Sequence, residues 1–120
     1  MKLFVPALLG SLLLPTLAQA GDPEIVDVSV RKSGMIWSVS VTIRHPDTGW
    51  DHYADGWEVL DSSGVRLGYR KLMHPHVDEQ PFTRSLNGLV IPDGTREIFV
   101  KPSCSKHGWS GDAVRVELLP

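Results

Sequence analysis

The chain has a single cysteine, Cys104. No intrachain disulfide can form, so the fold must rest on its hydrophobic core even in an oxidising compartment. An unpaired thiol has three ordinary roles: burial as a small hydrophobe, pairing with another chain, or metal ligation. Basic residues do not dominate either. The 12 Lys and Arg stand against 14 Asp and Glu, a formal net charge of −2. That excludes the basic footprint of a nucleic-acid binder, and no polybasic segment is present for anionic lipid. Signatures of catalysis are missing too: there is no HExxH, phosphate-cradling glycine loop or EF-hand spacing. Gly108-Trp109-Ser110-Gly111 falls short of a G-x-S-x-G elbow because Asp112 takes the last glycine's place, and that elbow needs a strand–turn–helix setting. Past residue 20 there is no helix-period segment of useful length, no internal repeat and no low-complexity tract.

What is present begins with an export signal. Lys2, the apolar run Leu3 to Leu14 and the end Ala18-Gln19-Ala20 are the three parts of a secretory signal peptide. Gly10 and Pro15 interrupt the run and no stop-transfer flank follows, so no membrane span is expected in the mature chain. No cysteine sits at the cleavage point, which argues against a lipid anchor. Residues 1–20 are expected to be removed near Ala20, leaving 21–120 as one domain, periplasmic or secreted. A chain of that size can bury a real but modest core.

The rest alternates with a period of two. Glu24 to Lys32, Met35 to His45, Ala54 to Asp61, Val65 to Leu72, Phe82 to Ile91, Thr95 to Ser103 and Ala113 to Leu119 each read as a strand. Ser33-Gly34, Ser62-Ser63-Gly64 and Pro92-Asp93-Gly94 supply turns. Trp37, in phase with Val39 and Val41, is expected in the core. Asn87-Gly88 predicts a bulge or kink. Seven short strands so spaced resemble an immunoglobulin-like domain of the fibronectin type III kind, an all-β, seven-stranded, two-sheet sandwich with strands A, B, C, C′, E, F and G. The HPHVDEQPFTRS segment and the IPDG turn also resemble a group of small exported bacterial proteins of unknown function, a likeness that brings no chemistry with it.

Chain direction then sorts the loops. In that topology the B–C, C′–E and F–G loops share one end of the sandwich: His45 to Tyr53, Met73 to Pro81 and Cys104 to Asp112. All five histidines, the cysteine, Trp50 and Trp109 fall in them. The other end carries turn residues. Loops displayed at one end of a rigid sandwich are a common place for function.

Several constellations lie at this pole. His74-Pro75-His76 projects two imidazoles from an extended stretch, a pair suited to one metal if a third ligand comes from His45, His52, His107 or Cys104. Cys104 with His107 resembles the ligand loop of blue-copper proteins, but no methionine follows residue 73 to act as axial ligand. The inventory fits Zn(II) or Cu(II) better. Trp50, Tyr53 and Trp109 are candidate anchors for a partner, or lids on the core. Arg84, with Glu79, is a candidate structural anchor for the irregular loop between Pro75 and Pro81. Asp47, Asp51 and Asp55 read as loop formers.

The reading that needs fewest coincidences is a small non-enzymatic binding module whose loop pole engages an unknown protein or cell-envelope ligand. The alternative is a periplasmic Zn(II)- or Cu(II)-binding protein using the histidines. A self-complementary dimer surface and an enzyme complete the alternatives.

Overall fold

The computed structural model describes residues 21–118; the expected signal peptide lies outside the described residues. The chain order is β1 (Glu24–Ser33), β2 (Ile36–Arg44), β3 (Ala54–Leu60), β4 (Arg66–Lys71), β5 (Phe82–Leu89), β6 (Glu97–Cys104), β7 (Gly108–Trp109) and β8 (Val114–Glu117). One sheet has the order β1-β2-β5. The other runs β4-β3-β6, with β7 and β8 both paired to β6. Every pairing is antiparallel.

Each of the seven expected strands has a counterpart, but the described residues form eight. The extra one, β7, lies in what reads by composition as a glycine-rich loop. Ser105, Lys106 and His107 turn the chain between Cys104 and Gly108, which are paired across the ladder. Gly108 has a φ of 73°, the left-handed conformation that closes a three-residue hairpin loop. The physical reason for the miss is brevity: two residues cannot show a period of two.

The core lies between the sheets. Val39, Val41 and Ile43 of β2 and Phe82 and Leu89 of β5 meet Trp57 and Val59 of β3 and Ile98 and Val100 of β6. Burying one such side chain stabilises the fold by about 1.5–3 kcal/mol. Trp57 is fully buried and central, whereas Trp37 is only partly buried at the cluster's margin. The β2–β5 register shifts between Trp37 and Val39, where Leu86 to Leu89 of β5 spans one residue more than β2 does. This is the bulge that Asn87-Gly88 predicts, and Trp37 keeps the phase of Val39 and packs against the core from its margin.

A second register shift, between Val59 and Leu60, acts on β4. Past it Gly68 faces the interior, where a Cβ would meet Leu89 Cδ1 at 2.6 Å and Leu86 Cδ2 at 2.8 Å. Tyr69 accordingly points outward, 40% exposed. On the outer side of the three-stranded sheet, Ser40–Ser85 and Thr42–Thr83 hydroxyl pairs bridge β2 to β5 at 2.6 and 2.7 Å.

Candidate metal centre

The loops expected at one pole do meet there. Asp47, on the β2–β3 loop, accepts the backbone N–H of His76 from the β4–β5 loop at 2.8 Å. Gln80 of that loop reaches back, its Oε1 accepting the His45 N–H at 2.9 Å and its Nε2 donating to the His76 carbonyl at 2.9 Å. The third loop joins through Ser105, whose N–H donates to the Tyr53 carbonyl and whose hydroxyl accepts the Tyr53 N–H.

The local turns then aim the side chains. The Thr48 N–H donates to the His52 carbonyl and the His52 N–H to Gly49, a tight reversal that brings His52 back beside His45. Their rings meet edge to face, centroids 4.8 Å apart. On the other side His52 meets His107 in the same way at 5.2 Å. The three-residue hairpin after β6 sets Cys104 Sγ beneath His107, accepting its backbone N–H at 3.2 Å with His107 Nδ1 at 3.5 Å. His45, His52 and Cys104 each offer a ligand atom within 4.8 Å of the others.

His45 is fully buried and oriented from behind. Its Nδ1 lies 2.5 Å from Asp47 Oδ1, and that carboxylate also accepts the Ala54 N–H at 3.0 Å. A carboxylate on the far ring nitrogen fixes the plane and tautomer of a ligating histidine. The other nitrogen, Nε2, lies 2.7 Å from the carbonyl oxygen of Gly21, which can only accept, so an ion on Nε2 would take the place of that hydrogen bond. His52 Nε2 is buried with no hydrogen-bond partner in the structure. Burial first, then the neighbouring His45, His107 and Lys106, hold the His52 imidazole below its ordinary pKa. A backbone contact with Gly21 works in the opposite direction.

The expected His74–His76 pair stands apart from this group. The two rings are close to each other, 4.6 Å between centroids, but His76 is buried and stacked on Phe82 at 3.9 Å. Its Nε2 lies 3.0 Å from Arg84 Nη2. His74 is exposed and contacts the Pro75 carbonyl. Arg84 also reaches Glu79 at 3.3 Å and the Thr83 carbonyl at 2.7 Å. Among the aromatics, Trp50 is 68% exposed and pairs with Tyr53 on the His52 loop. Trp109 instead packs with Tyr69 on the sheet face, where Arg66 lies over both rings.

Two contributors lack a signal in the sequence. Asp47 has the composition of a turn residue, and Gly21 has no side chain to announce it. The far end of the sandwich is also less plain than its turn residues suggest. It holds an open cleft of about 240 Å³ lined by Trp37, Ile91, Thr95 and Leu118 among others, with no convergence of metal-ligating groups.

No family model matches the chain. Over 97 residues, 80% of this chain, it is 39% identical to a protein of Halomicrobium mukohataei named as a candidate lipoprotein. The match takes in 47% of that protein, so the chain spans about half the length of the relative. Two solved structures share the fold. One is a hypothetical protein from Pyrococcus horikoshii, with a TM-score of 0.57 and 13% identity over 86% of this chain and 95% of that one. The other is a superoxide reductase in its oxidised state, with a TM-score of 0.53 and 14% identity over 84% and 92%. At such identities the likeness is one of fold.

Proposed function

We propose that the protein is an exported β-sandwich that binds one transition-metal ion at its loop pole, through Cys104 and the imidazoles of His45, His52 and His107. The observation that carries this is convergence. Three ligand atoms from one loop and a strand end lie within 4.8 Å of one another, and His52 Nε2 is buried without a partner. An orphaned buried polar atom costs stability unless something satisfies it, and a metal ion would. The donor set is one sulfur and three imidazoles, which suits zinc, copper or iron and does not suit magnesium or calcium. Convergence favours this reading over the plain partner-binding module, because Trp50 and Tyr53 sit on one loop while Trp109 packs elsewhere.

The likeness to a superoxide reductase favours a narrower second reading. On it, the bound ion is redox-active and exchanges an electron with a small oxygen species. A fold shared at 14% identity supports the question, and the ligand set supplies the means.

Thermal unfolding of metal-stripped residues 21–120, titrated with Zn(II), Cu(II) and Fe(II), tests the first reading. A ligand that binds the folded state alone raises the midpoint by mass action. The rise should vanish in Cys104→Ser and His52→Ala and persist in His74→Ala; an unchanged rise in Cys104→Ser refutes the site. For the second reading, superoxide consumption by the iron-loaded protein is compared with the zinc-loaded protein, since zinc has no redox chemistry. Equal rates would refute it.

A further inference from the structure

Gly21 contributes no side chain, yet it stands against three imidazoles of the candidate centre. Its carbonyl oxygen is 2.7 Å from His45 Nε2. A Cβ built on it would stand 3.0 Å from His107 Cε1, 3.2 Å from His52 Cε1 and 3.5 Å from His107 Nδ1. The Cα therefore sits over the gap between two imidazoles while the carbonyl reaches the third. The backbone nitrogen is bonded to the same Cα, and standard covalent geometry puts it roughly 2.5 Å from that Cβ position.

The chemistry of this nitrogen depends on what precedes it. Within a peptide its lone pair is delocalised into the carbonyl, and it is no ligand. The pattern Ala18-Gln19-Ala20 places the expected cleavage immediately before it. Hydrolysis adds water across the Ala20–Gly21 amide, leaving a carboxylate on Ala20 and a primary amine on Gly21. That amine offers a nitrogen lone pair to the same ions that imidazole binds. The amine nitrogen and carbonyl oxygen of one residue are also spaced to close a five-membered chelate.

We infer that export completes the metal centre: cleavage after Ala20 converts the Gly21 nitrogen into an α-amine that ligates the ion beside His45, His52 and His107. The inference rests on the metal reading above. Two independent observations coincide in it. The leader pattern selects Gly21 from residues 18–20 alone, and the fold brings the same residue against three imidazoles, one with an orphaned nitrogen.

The test compares three proteins: residues 21–120 with a free N-terminus, the same chain carrying Ala20 in front, and the free chain with Cys104→Ser. Affinity for Co(II) and Zn(II) is measured by absorption and by chelator competition, and the exported protein's N-terminus by mass spectrometry. The expected result is an N-terminus at Gly21 and binding weaker by about tenfold or more in the Ala20-extended chain, a difference of one ligand. Equal affinity in the free and extended chains, with loss in Cys104→Ser, overturns the amine ligand and leaves the metal centre standing. Absence of saturable binding in all three overturns both. An exported protein that begins elsewhere overturns the link to export.

Discussion

Asp47 Oδ1 lies 2.5 Å from His45 Nδ1, and both side chains are wholly removed from solvent. The same carboxylate accepts backbone N–H groups from Ala54 and His76. It is at once the group behind a proposed ligand and the joint between two loops. Asp47→Ala should therefore leave two buried N–H donors and one imidazole without their acceptor, a loss of about 3 kcal/mol or more. Urea unfolding at neutral pH measures it. In Asp47→Asn, if it folds, metal affinity should fall about 10–100-fold through misorientation of His45; a stable Asp47→Asn with undiminished affinity would dismiss the orienting role.

His74 and His76 are separated by a single proline and opposite in consequence. His74→Ala touches only an exposed ring and should change stability by less than about 0.5 kcal/mol. His76→Ala removes a buried ring stacked on Phe82 and the acceptor for Arg84, and should cost about 2–4 kcal/mol. Metal affinity should be unaltered in His74→Ala. Parallel denaturation and metal titration of both variants separate the two predictions.

Acid should act through His76. Burial first, then Arg84 and His74, hold its pKa below the ordinary value, and its Nδ1 is buried without a partner. In the unfolded chain the same imidazole titrates near about 6.5 and takes up a proton first as pH falls. The stability tied to the neutral ring is complete above that value. It is lost as pH drops from there toward the folded-state pKa, at most about 1.4 kcal/mol per pH unit. Unfolding free energies of metal-free protein between pH 7.5 and 5 should show this fall, and His76→Gln should lessen it, leaving the share of His52, which is also held below its ordinary value. An identical slope in the variant would assign the effect to other groups.

Gly68 supplies a prediction outside the candidate metal centre. A methyl group there would press within 2.6 and 2.8 Å of Leu89 and Leu86, so Gly68→Ala should destabilise by about 1–3 kcal/mol through overpacking. Pairing it with Leu86→Ala makes room and should recover part of the loss in a double-mutant cycle. Strict additivity of the two losses would mean that β4 shifts outward instead.

Much of the architecture is legible in alternation. Val39, Val41 and Ile43, or Ile98 and Val100, face inward as their phase dictates, and the turns fall at Gly34, Gly64 and Gly94 with positive φ. Phase breaks on β4, where the register shift opposite Val59 and Leu60 leaves Leu67 packed on the core and Tyr69 exposed, two positions that strict alternation would put on one face. At the candidate centre, residue type alone nominates His45, His52, Cys104 and His107, of which the first three offer ligand atoms within 4.8 Å of one another. At His74-Pro75-His76 closeness in the chain does bring two rings together, and Phe82 and Arg84 claim one of them. Gly108 following Cys104 at the spacing of a short hairpin was a usable sign of β7. Gly21 offered none, since what it brings to the centre is backbone and position.

The proposed ligands come from both halves of the sandwich. His45 follows β2 of the three-stranded sheet and Cys104 ends β6 of the five-stranded one. An ion held between them would be a rivet through two plates. Pulling the sheets apart would then require breaking a coordination bond, so metal release and exposure of Trp57 should fall in one kinetic phase. Loss of the ion through loop opening alone would come earlier and leave the tryptophan signal untouched. Stopped-flow unfolding with a chromogenic chelator and tryptophan fluorescence would tell a fastener from a passenger.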